Sequence, residues 1–320
     1  MKRIVALTMA LMMLLTLAAC GSTAAPADDG KYTIGICQLV THEALDAATK
    51  GFQDAVIAAL GEENVTFDLQ NAAGDSNTCS TIVNSFVANN VDLIMANATP
   101  ALQAAANATA DIPVLGTSVT EYGVALDIKD FTGTVGGNVS GTSDLAPLEE
   151  QAAMLQEWFP DAKTVGLLYC SAEPNSKYQV DTIKALLEGK GYECKMFAFA
   201  DSNDMPAVTN AACEYADVIY VPTDNAVASA TDIIDGICRP AGIPIIAGEE
   251  GICAGCGVAT LSISYYDLGY TTGQMAAKIL KGEADISTMK IEYAPAVKKY
   301  NSEICTALGL TAPEGYAAIG

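Results

Sequence analysis

The sequence predicts an α/β protein built from two Rossmann-like lobes, each with a parallel sheet. Short apolar segments alternate with segments of helical length from residue 31 onward. The alternation starts again near residue 148, and the segments 91–99 and 216–224 match each other in pattern. Strands that alternate with helices in this way form βαβ units, in which helices cover both faces of a parallel sheet. Two such series in one chain indicate two lobes.

The first series contains four strands joined by three helices. Helical periodicity is clearest at 44–60, where Leu45, Phe52 and Val56 fall on one face. Pro100 suits a first helical turn, because the N–H that it lacks would have no partner there. The predicted strands are 32–37, 65–70, 91–96 and 113–118, and the predicted helices are 44–60, 77–89 and 100–110.

The second series repeats this order. It opens with a helix that Pro160 ends, and an Ile-Pro pair precedes its last strand, as another such pair precedes the strand at 113–118. This internal match suggests duplication, so equivalent loops of the two lobes correspond. The predicted helices are 148–159, 176–187, 205–215 and 226–237, and the predicted strands are 164–169, 193–199, 217–221 and 244–247.

The composition indicates large apolar cores under an acidic surface. Of the 320 residues, 51% are hydrophobic, and this length is typical of two domains of about 150 residues each. The formal net charge of −22 repels phosphate backbones, so we expect no nucleic acid partner. Arg3 and Arg239 are the only arginines in the sequence, which excludes a cluster of bidentate arginine clamps around a ligand.

The N-terminal segment has the pattern of an export signal with a lipid attachment site. A basic start precedes an apolar run, which ends in Leu-Ala-Ala before Cys20 and resembles a bacterial lipobox. We therefore predict a signal peptide at 1–19, lipidation of Cys20 and a flexible tether at 20–30. The protein would then be extracytoplasmic and lipid-anchored to the cytoplasmic membrane. A plain secretion signal, with Cys20 incidental, is the alternative.

The cysteines and the single histidine exclude several chemistries. Ten cysteines are present, and nine remain if Cys20 is lipidated, so they cannot all pair within the chain. We expect buried free thiols, and a local disulfide stays open as an alternative for Cys253 and Cys256. His42 is the only histidine, which leaves zinc sites and most acid–base schemes without the residues that they need. We therefore predict no metal, no cofactor and no enzymatic activity.

The loops that follow the predicted strands carry the binding candidates. In open parallel sheets, ligands bind beyond the carboxyl ends of the strands. These loops are rich in hydroxyl, amide and carboxylate side chains, and Gly136 and Gly137 between the two series suit a hinge. The predicted ligand-binding residues are Gln38, Thr99, Thr117, Ser118, Asp144, Tyr169, Ser171, Glu173, Asn175, Ser176, Asp224 and Glu249.

Four motifs occur in the order of one known family. They are Gln38-x-Val40-x-His42-x-Ala44-Leu45-Asp46, Gly141-Thr142-Ser143-Asp144, Glu173-Pro174-Asn175-Ser176 and Tyr265-Tyr266-Asp267-Leu268-Gly269. With them, nearly the whole chain after residue 31 resembles the ABC-transporter substrate-binding lipoproteins of the TrpX-like group. Glu43 departs from the family pattern, in which proline is common after the histidine.

The resemblance implies the type I periplasmic-binding-protein architecture, with three crossovers at the hinge. On this basis, lobe 1 comprises 31–138 plus 264–286, and lobe 2 comprises 139–263 plus 287–320. The implied ligand is an aromatic or other hydrophobic amino acid, and the implied partners of a monomeric binding component are an ABC permease and its ATPase. A nucleoside, purine or sugar receptor of the same fold, and a sensory receptor, are the alternatives.

An amino acid ligand presents a carboxylate, an ammonium group and a side chain. The hydroxyls of Thr99, Thr117 and Ser118, together with helix N-terminal N–H groups, are able to hold the carboxylate without arginine. The ammonium group needs an acid from the opposite lobe, for which Asp224 and Glu249 are the candidates. Thr99 and Asp224 are equally well placed to cap helices, and the two roles are compatible.

Overall fold

The structure is a computed structural model that describes residues 30–319. Lobe 1 is formed first along the chain and alternates strands with helices. Its elements are β1 (Tyr32–Gln38), α1 (Glu43–Leu60), β2 (Val65–Asn71), α2 (Ser76–Ala88), β3 (Leu93–Asn97), α3 (Thr99–Ala108), β4 (Val114–Val119), α4 (Tyr122–Ala125) and β5 (Val139–Ser143).

Lobe 2 follows with the same alternation, and the chain then returns to lobe 1 before it ends in lobe 2. The lobe 2 elements are α5 (Leu148–Trp158), β6 (Thr164–Cys170), α6 (Pro174–Gly189), β7 (Glu193–Phe199), α7 (Met205–Tyr215), β8 (Val218–Val221), α8 (Asn225–Ala228), α9 (Thr231–Ala241), β9 (Ile245–Ala247), α10 (Glu250–Cys256) and β10 (Ala259–Ser262). The last elements are α11 (Tyr265–Leu280), β11 (Glu292–Tyr293), β12 (Val297–Tyr300), α12 (Ser302–Ala307) and β13 (Ala317–Ala318).

Each lobe contains one sheet. The strand order in lobe 1 is β11-β5-β4-β3-β1-β2, with every neighbouring pair parallel. In lobe 2 the order is β13-β12-β10-β9-β8-β6-β7, and β10 with β12 is the antiparallel pair. The predicted α/β class with two lobes and mostly parallel sheets is confirmed.

Within residues 30–319 the chain crosses between the lobes three times, and two crossings differ from the predicted boundaries. The segment that begins at Val139 was assigned to lobe 2, but β5 pairs with β4 in lobe 1, so the first crossing lies between Ser143 and Leu148. The second crossing joins β10 to α11. The third lies between β11 and β12, later than the predicted position at 286–287, because β11 adds to the edge of the lobe 1 sheet. β11 is a two-residue edge strand, which gives little sequence signal and explains the later position of the third crossing.

Burial of both sheet faces places the polar residues at strand ends. In β1, Ile34 and Ile36 pack with Phe52 on one face, whereas Cys37 packs with Phe86 on the other. Strands that are buried on both faces read as continuous apolar runs. Polar side chains therefore collect where the strands end, and in each lobe these ends lie at the interlobe cleft.

Two further features of the fold concern the helices. The predicted helix at 226–237 is divided into α8 and α9, since the chain turns at Ser229 and Ala230.

No helix among residues 30–319 is both long and apolar enough to cross a bilayer. The predicted signal peptide, Cys20 and nearly all of the tether lie outside the described residues.

Candidate functional site

A small cavity lies between the lobes, at the carboxyl ends of the strands. Both lobes and the first crossing contribute to its wall. The lining residues are His42, Leu45, Ser118, Thr120, Asp144, Asn175, Thr223, Asp224, Asn225, Ala228, Glu249 and Tyr265. The cavity measures about 10 Å³, which is room for about one water molecule. A larger ligand therefore enters only when the lobes separate, and the closed form that holds it has a wider cavity than this one.

Three buried carboxyl groups dominate the charge of the cavity wall. Burial raises the pKa of Asp144 to about 6 and, together with the nearby Glu173 carboxylate, raises the pKa of Asp224 to about 7. Burial also raises the pKa of Glu249 to about 7, with a smaller contribution from Asp144. No lysine or arginine lines the cavity to balance these acids. Such a wall favours a ligand that carries a positive charge.

Three buried polar atoms of the wall have no hydrogen-bond partner. They are Oγ of Ser118 in lobe 1, Oδ1 of Asp144 in the first crossing, and Oδ1 of Asn175 in lobe 2. A buried polar atom without a partner costs about 1–3 kcal/mol. Asp144 Oδ1 and Asn175 Oδ1 both accept hydrogen bonds, so a ligand that donates several N–H bonds would satisfy the first crossing and lobe 2 at once.

The three carboxyl groups differ in how their oxygens are used. Asp224 accepts from the backbone N–H of Cys170 at 2.7 Å and caps α8 by accepting from Val227 N–H at 3.0 Å. Glu249 caps α10 through the N–H groups of Gly251 and Ile252. By contrast, Asp144 accepts from the Tyr265 hydroxyl through Oδ2 at 3.0 Å, which leaves Oδ1 free.

The three acids therefore differ in how far their oxygens are free to contact a ligand. Asp224 and Glu249 are the candidates that the sequence predicts, and both have helix-capping roles that occupy their oxygens. Asp144 presents a buried carboxylate oxygen that makes no hydrogen bond, although the Thr120 side chain nearby favours the charged form. Of the three acids, Asp144 is best placed to accept from a ligand cation.

A hydrogen-bonded chain links the lobes across the cavity. Glu173 accepts from the Asn225 side-chain amide at 2.7 Å and from the Asn175 amide at 3.1 Å. Asn225 in turn lies 3.3 Å from Nε2 of His42, through Oδ1. Burial lowers the pKa of His42, which favours the neutral ring. Since Asn225 Oδ1 only accepts, the assigned contact has Nε2–H of His42 donating to it.

Of the twelve predicted ligand-binding residues, five line the cavity. They are Ser118, Asp144, Asn175, Asp224 and Glu249. Glu173 and Ser176 lie directly behind the wall. Glu173 holds Asn175 and Asn225 in place, and the Ser176 hydroxyl donates to the Thr223 carbonyl at 3.5 Å.

The other five predicted residues lie away from the cavity, for identifiable reasons. Gln38 is held by Asp46 and Thr49 within lobe 1, and Thr99 begins α3. Thr117 does not line the cavity, and its hydroxyl lies 3.2 Å from that of Thr142 within lobe 1. Tyr169 packs in the lobe 2 core, and the exposed Ser171 donates to the Phe199 carbonyl.

Seven lining residues were missing from the predicted set. They are His42, Leu45, Thr120, Thr223, Asn225, Ala228 and Tyr265. Most adjoin a predicted residue or belong to a family motif, as Tyr265 does. Tyr265 lies at the start of a helix that returns from lobe 2, and only the tertiary fold brings it to Asp144.

Two α/β lobes joined by three crossings around a polar cavity define a binding protein of the type I periplasmic architecture. The chain belongs to the family of ABC transporter substrate-binding proteins, whose model matches residues 33–316. It is therefore the extracytoplasmic binding component of a transport system with a membrane permease and an ATPase.

Three relatives are informative. A tyrosine-binding protein of Clostridioides difficile (strain R20291) is 38% identical over 257 residues, which cover 78% of this chain and 73% of that protein. The ABC domain from Streptococcus pneumoniae, solved in complex with L-Trp, is 32% identical, with a TM-score of 0.85 over 90% of this chain and 100% of that chain. The ligand-free, open structure of a substrate-binding protein with adhesive properties from Clostridium difficile is 38% identical, with a TM-score of 0.69 over 90% of this chain and 99% of that chain.

The comparison indicates that the lobes are closed in the structure described. Similarity in shape is higher to the L-Trp complex than to the open structure, although the sequence identity is lower. The contact between His42 and Asn225 and the small cavity agree with a closed form.

The buried acids predict an unusual pH dependence for the ligand-free protein. The folded-state pKa values of these acids, about 6 to 7, exceed the values of about 4 in unfolded chains, so the folded state binds more protons between about pH 4 and pH 7. The contribution of these acids to the free energy of unfolding is greatest below about pH 4 and is lost as the pH rises to about 7. Urea unfolding at several pH values should show a smaller decline for Asp144→Asn than for the wild type. Identical slopes for the two would contradict the raised pKa of Asp144.

The contact between His42 and Asn225 should stabilise the closed form. His42→Ala removes one interlobe hydrogen bond, so we expect ligand affinity to fall by about 2- to 10-fold, as for the loss of about 0.5–1.5 kcal/mol. The loss should appear mainly as faster release in stopped-flow measurements. Lys50→Ala, at an exposed position on α1, is the control. Unchanged release by His42→Ala would show that the contact does not hold the lobes together.

Proposed function

We propose that the chain binds a free aromatic amino acid, with L-tyrosine and L-tryptophan as the leading candidates. The observation that carries the proposal is the unpartnered Oδ1 of Asp144, buried in a cavity with two further carboxyl groups and no basic residue except the neutral His42. An ammonium group supplies the charge and the donors that this wall lacks. The relatives supply the aromatic class, since one is named for tyrosine and one was solved with L-Trp.

The recognition scheme assigns each part of the ligand to a region of the wall. The ammonium group donates to Asp144 Oδ1 and to Asn175 Oδ1, which belong to the first crossing and to lobe 2. The hydroxyls of Ser118 and Thr120 in lobe 1 face the same space and donate to the ligand carboxylate. The aromatic ring lies against the apolar part of the wall, where Leu45, Ala228 and Tyr265 are found.

Transport follows from closure of the lobes on the ligand. Contacts to both lobes form only when the lobes are closed, so the ligand shifts the equilibrium to the closed form. The closed protein then presents both lobes to the permease. In this proposal the protein acts as a monomer, is anchored through the lipid on Cys20, and releases its ligand chemically unchanged.

Calorimetric titration against a ligand panel tests the proposal. L-tyrosine, L-tryptophan and L-phenylalanine should bind, whereas adenosine and glucose should not. The matched pair of tyramine and 3-(4-hydroxyphenyl)propanoate separates the two ends of the ligand, and the propanoate, which lacks the ammonium group, should lose the most affinity. Binding of a nucleoside or a sugar without any amino acid would refute the proposal. Mass spectrometry of the ligand after incubation tests the absence of catalysis.

A further inference from the structure

The structure brings together two cysteines that the sequence does not pair. Cys213 lies on α7 and Cys238 on α9, and their sulfur atoms are 3.4 Å apart. Both are free thiols in the structure, and a disulfide bond is about 2.05 Å long. The Sγ atoms are already in contact, so a small side-chain rotation would allow a bond to form between the two helices.

The other neighbouring cysteines differ from this pair in ways that matter for reactivity. Cys253 and Cys256, which the sequence singled out, are both buried on α10, and the Cys256 thiol donates to the Ile252 carbonyl at 3.3 Å. Cys37 and Cys79 interact in lobe 1, but both are fully buried. Cys213 is partly exposed, whereas its partner Cys238 is 1% exposed.

This difference in exposure assigns separate roles to the two thiols. An oxidant in solvent reaches Cys213 and not Cys238. The hydrogen bond from Cys238 lowers the pKa of Cys213, and the same contact and burial raise the pKa of Cys238. The accessible sulfur is thus the better thiolate, which is the species that attacks disulfides.

We propose that Cys213 and Cys238 form a redox-sensitive dithiol, which a small disulfide such as glutathione disulfide converts into a disulfide linking α7 and α9. The Cys213 thiolate attacks one sulfur of the small disulfide, forms a mixed disulfide and releases one thiol. The Cys238 thiol then loses its proton and attacks the Cys213 sulfur, and the second thiol leaves. Overall, one small disulfide is reduced to two thiols while the two cysteines are oxidised. An extracytoplasmic protein meets such oxidants, because disulfides persist outside the cytoplasm.

The bond should stabilise lobe 2 and leave the ligand cavity unchanged. It would close a loop between residues that are 25 positions apart, and crosslinks of this kind restrict the unfolded chain. Neither cysteine lines the cavity between the lobes. We therefore expect a rise of several degrees in the melting temperature on oxidation, reversed by dithiothreitol.

Peptide mapping of the purified protein tests the proposal. After treatment with glutathione disulfide and alkylation, a crosslinked peptide containing Cys213 and Cys238 should appear. Its mass should be lower by two hydrogens than the sum of the two peptides with free thiols. Cys213→Ser should abolish both the crosslink and the rise in melting temperature. Cys238→Ser should instead accumulate a glutathione adduct on Cys213, because no second thiol displaces it.

A double variant, Cys253→Ser with Cys256→Ser, is the matched control and should oxidise like the wild type. A crosslink between Cys253 and Cys256, or between Cys37 and Cys79, in place of the expected one would overturn the proposal. So would a stable glutathione adduct on Cys213 in the wild-type protein, since it would show that Cys238 cannot reach the mixed disulfide.

Discussion

Asp144→Asn is expected to weaken binding of the aromatic amino acid more than any other single change in the cavity. Asparagine keeps the shape of the side chain and still accepts from the Tyr265 hydroxyl, but it removes the charge opposite the ligand ammonium. Leaving a buried charge unpaired costs about 2–5 kcal/mol, which corresponds to a loss of about 30-fold or more in affinity. Calorimetric titration with L-tyrosine and L-tryptophan measures the loss.

The fold should tolerate this change. Loss of a buried carboxyl with a raised pKa removes a cost of folding at neutral pH, so the free energy of unfolding in urea should stay the same or rise. Asp161→Asn, which changes the same charge at an exposed position, is the control for bulk electrostatics. Wild-type affinity in Asp144→Asn, with a large loss in Asp224→Asn, would transfer the ammonium contact to Asp224.

Gly269→Ala is expected to cause the largest loss of stability. On α11, a Cβ at this position would lie 1.9 Å from the carbonyl oxygen of Ala48 on α1, and a Cβ at Gly51 would lie 2.1 Å from the carbonyl oxygen of Tyr266. The two helices are thus in backbone contact, and an added methyl group forces them apart. Overpacking of this kind costs about 3 kcal/mol or more, to be measured by urea unfolding at neutral pH.

Gly236→Ala is the matched control for this prediction. Gly236 lies in α9, and nothing is within 4 Å of the position that its Cβ would occupy. Alanine in a helix interior is more favourable than glycine by about 0.5–1 kcal/mol, so this variant should be more stable than the wild type. Equal stabilities of Gly269→Ala and the wild type would contradict the close packing of α1 against α11.

The glycine also explains part of a motif. Tyr265 and Gly269 both belong to a motif that carries the family resemblance, and they have different roles. Tyr265 donates to Asp144 at the cavity, whereas Gly269 allows α11 to approach α1. One motif therefore contains both a side chain at the candidate site and a glycine that lets two helices of lobe 1 pack in backbone contact. Separate measurements of affinity and stability on the two variants distinguish these roles.

The sequence by itself determined the α/β class, the two lobes and the loops that carry the site, because these depend on local periodicity and on the rule that ligands bind at strand ends. The tertiary structure decided which side chains in those loops face the cavity. Thr117 and Ser118 are adjacent, yet only Ser118 lines the cavity, since the register of β4 is interrupted here and Ser118 has a φ of 53°. Asp144 has a free oxygen while the oxygens of Asp224 and Glu249 cap helices, and Cys213 touches Cys238. The contacts of Asp144 with Tyr265 and of Cys213 with Cys238 join residues 121 and 25 positions apart, and sequence spacing carries no information about such distances.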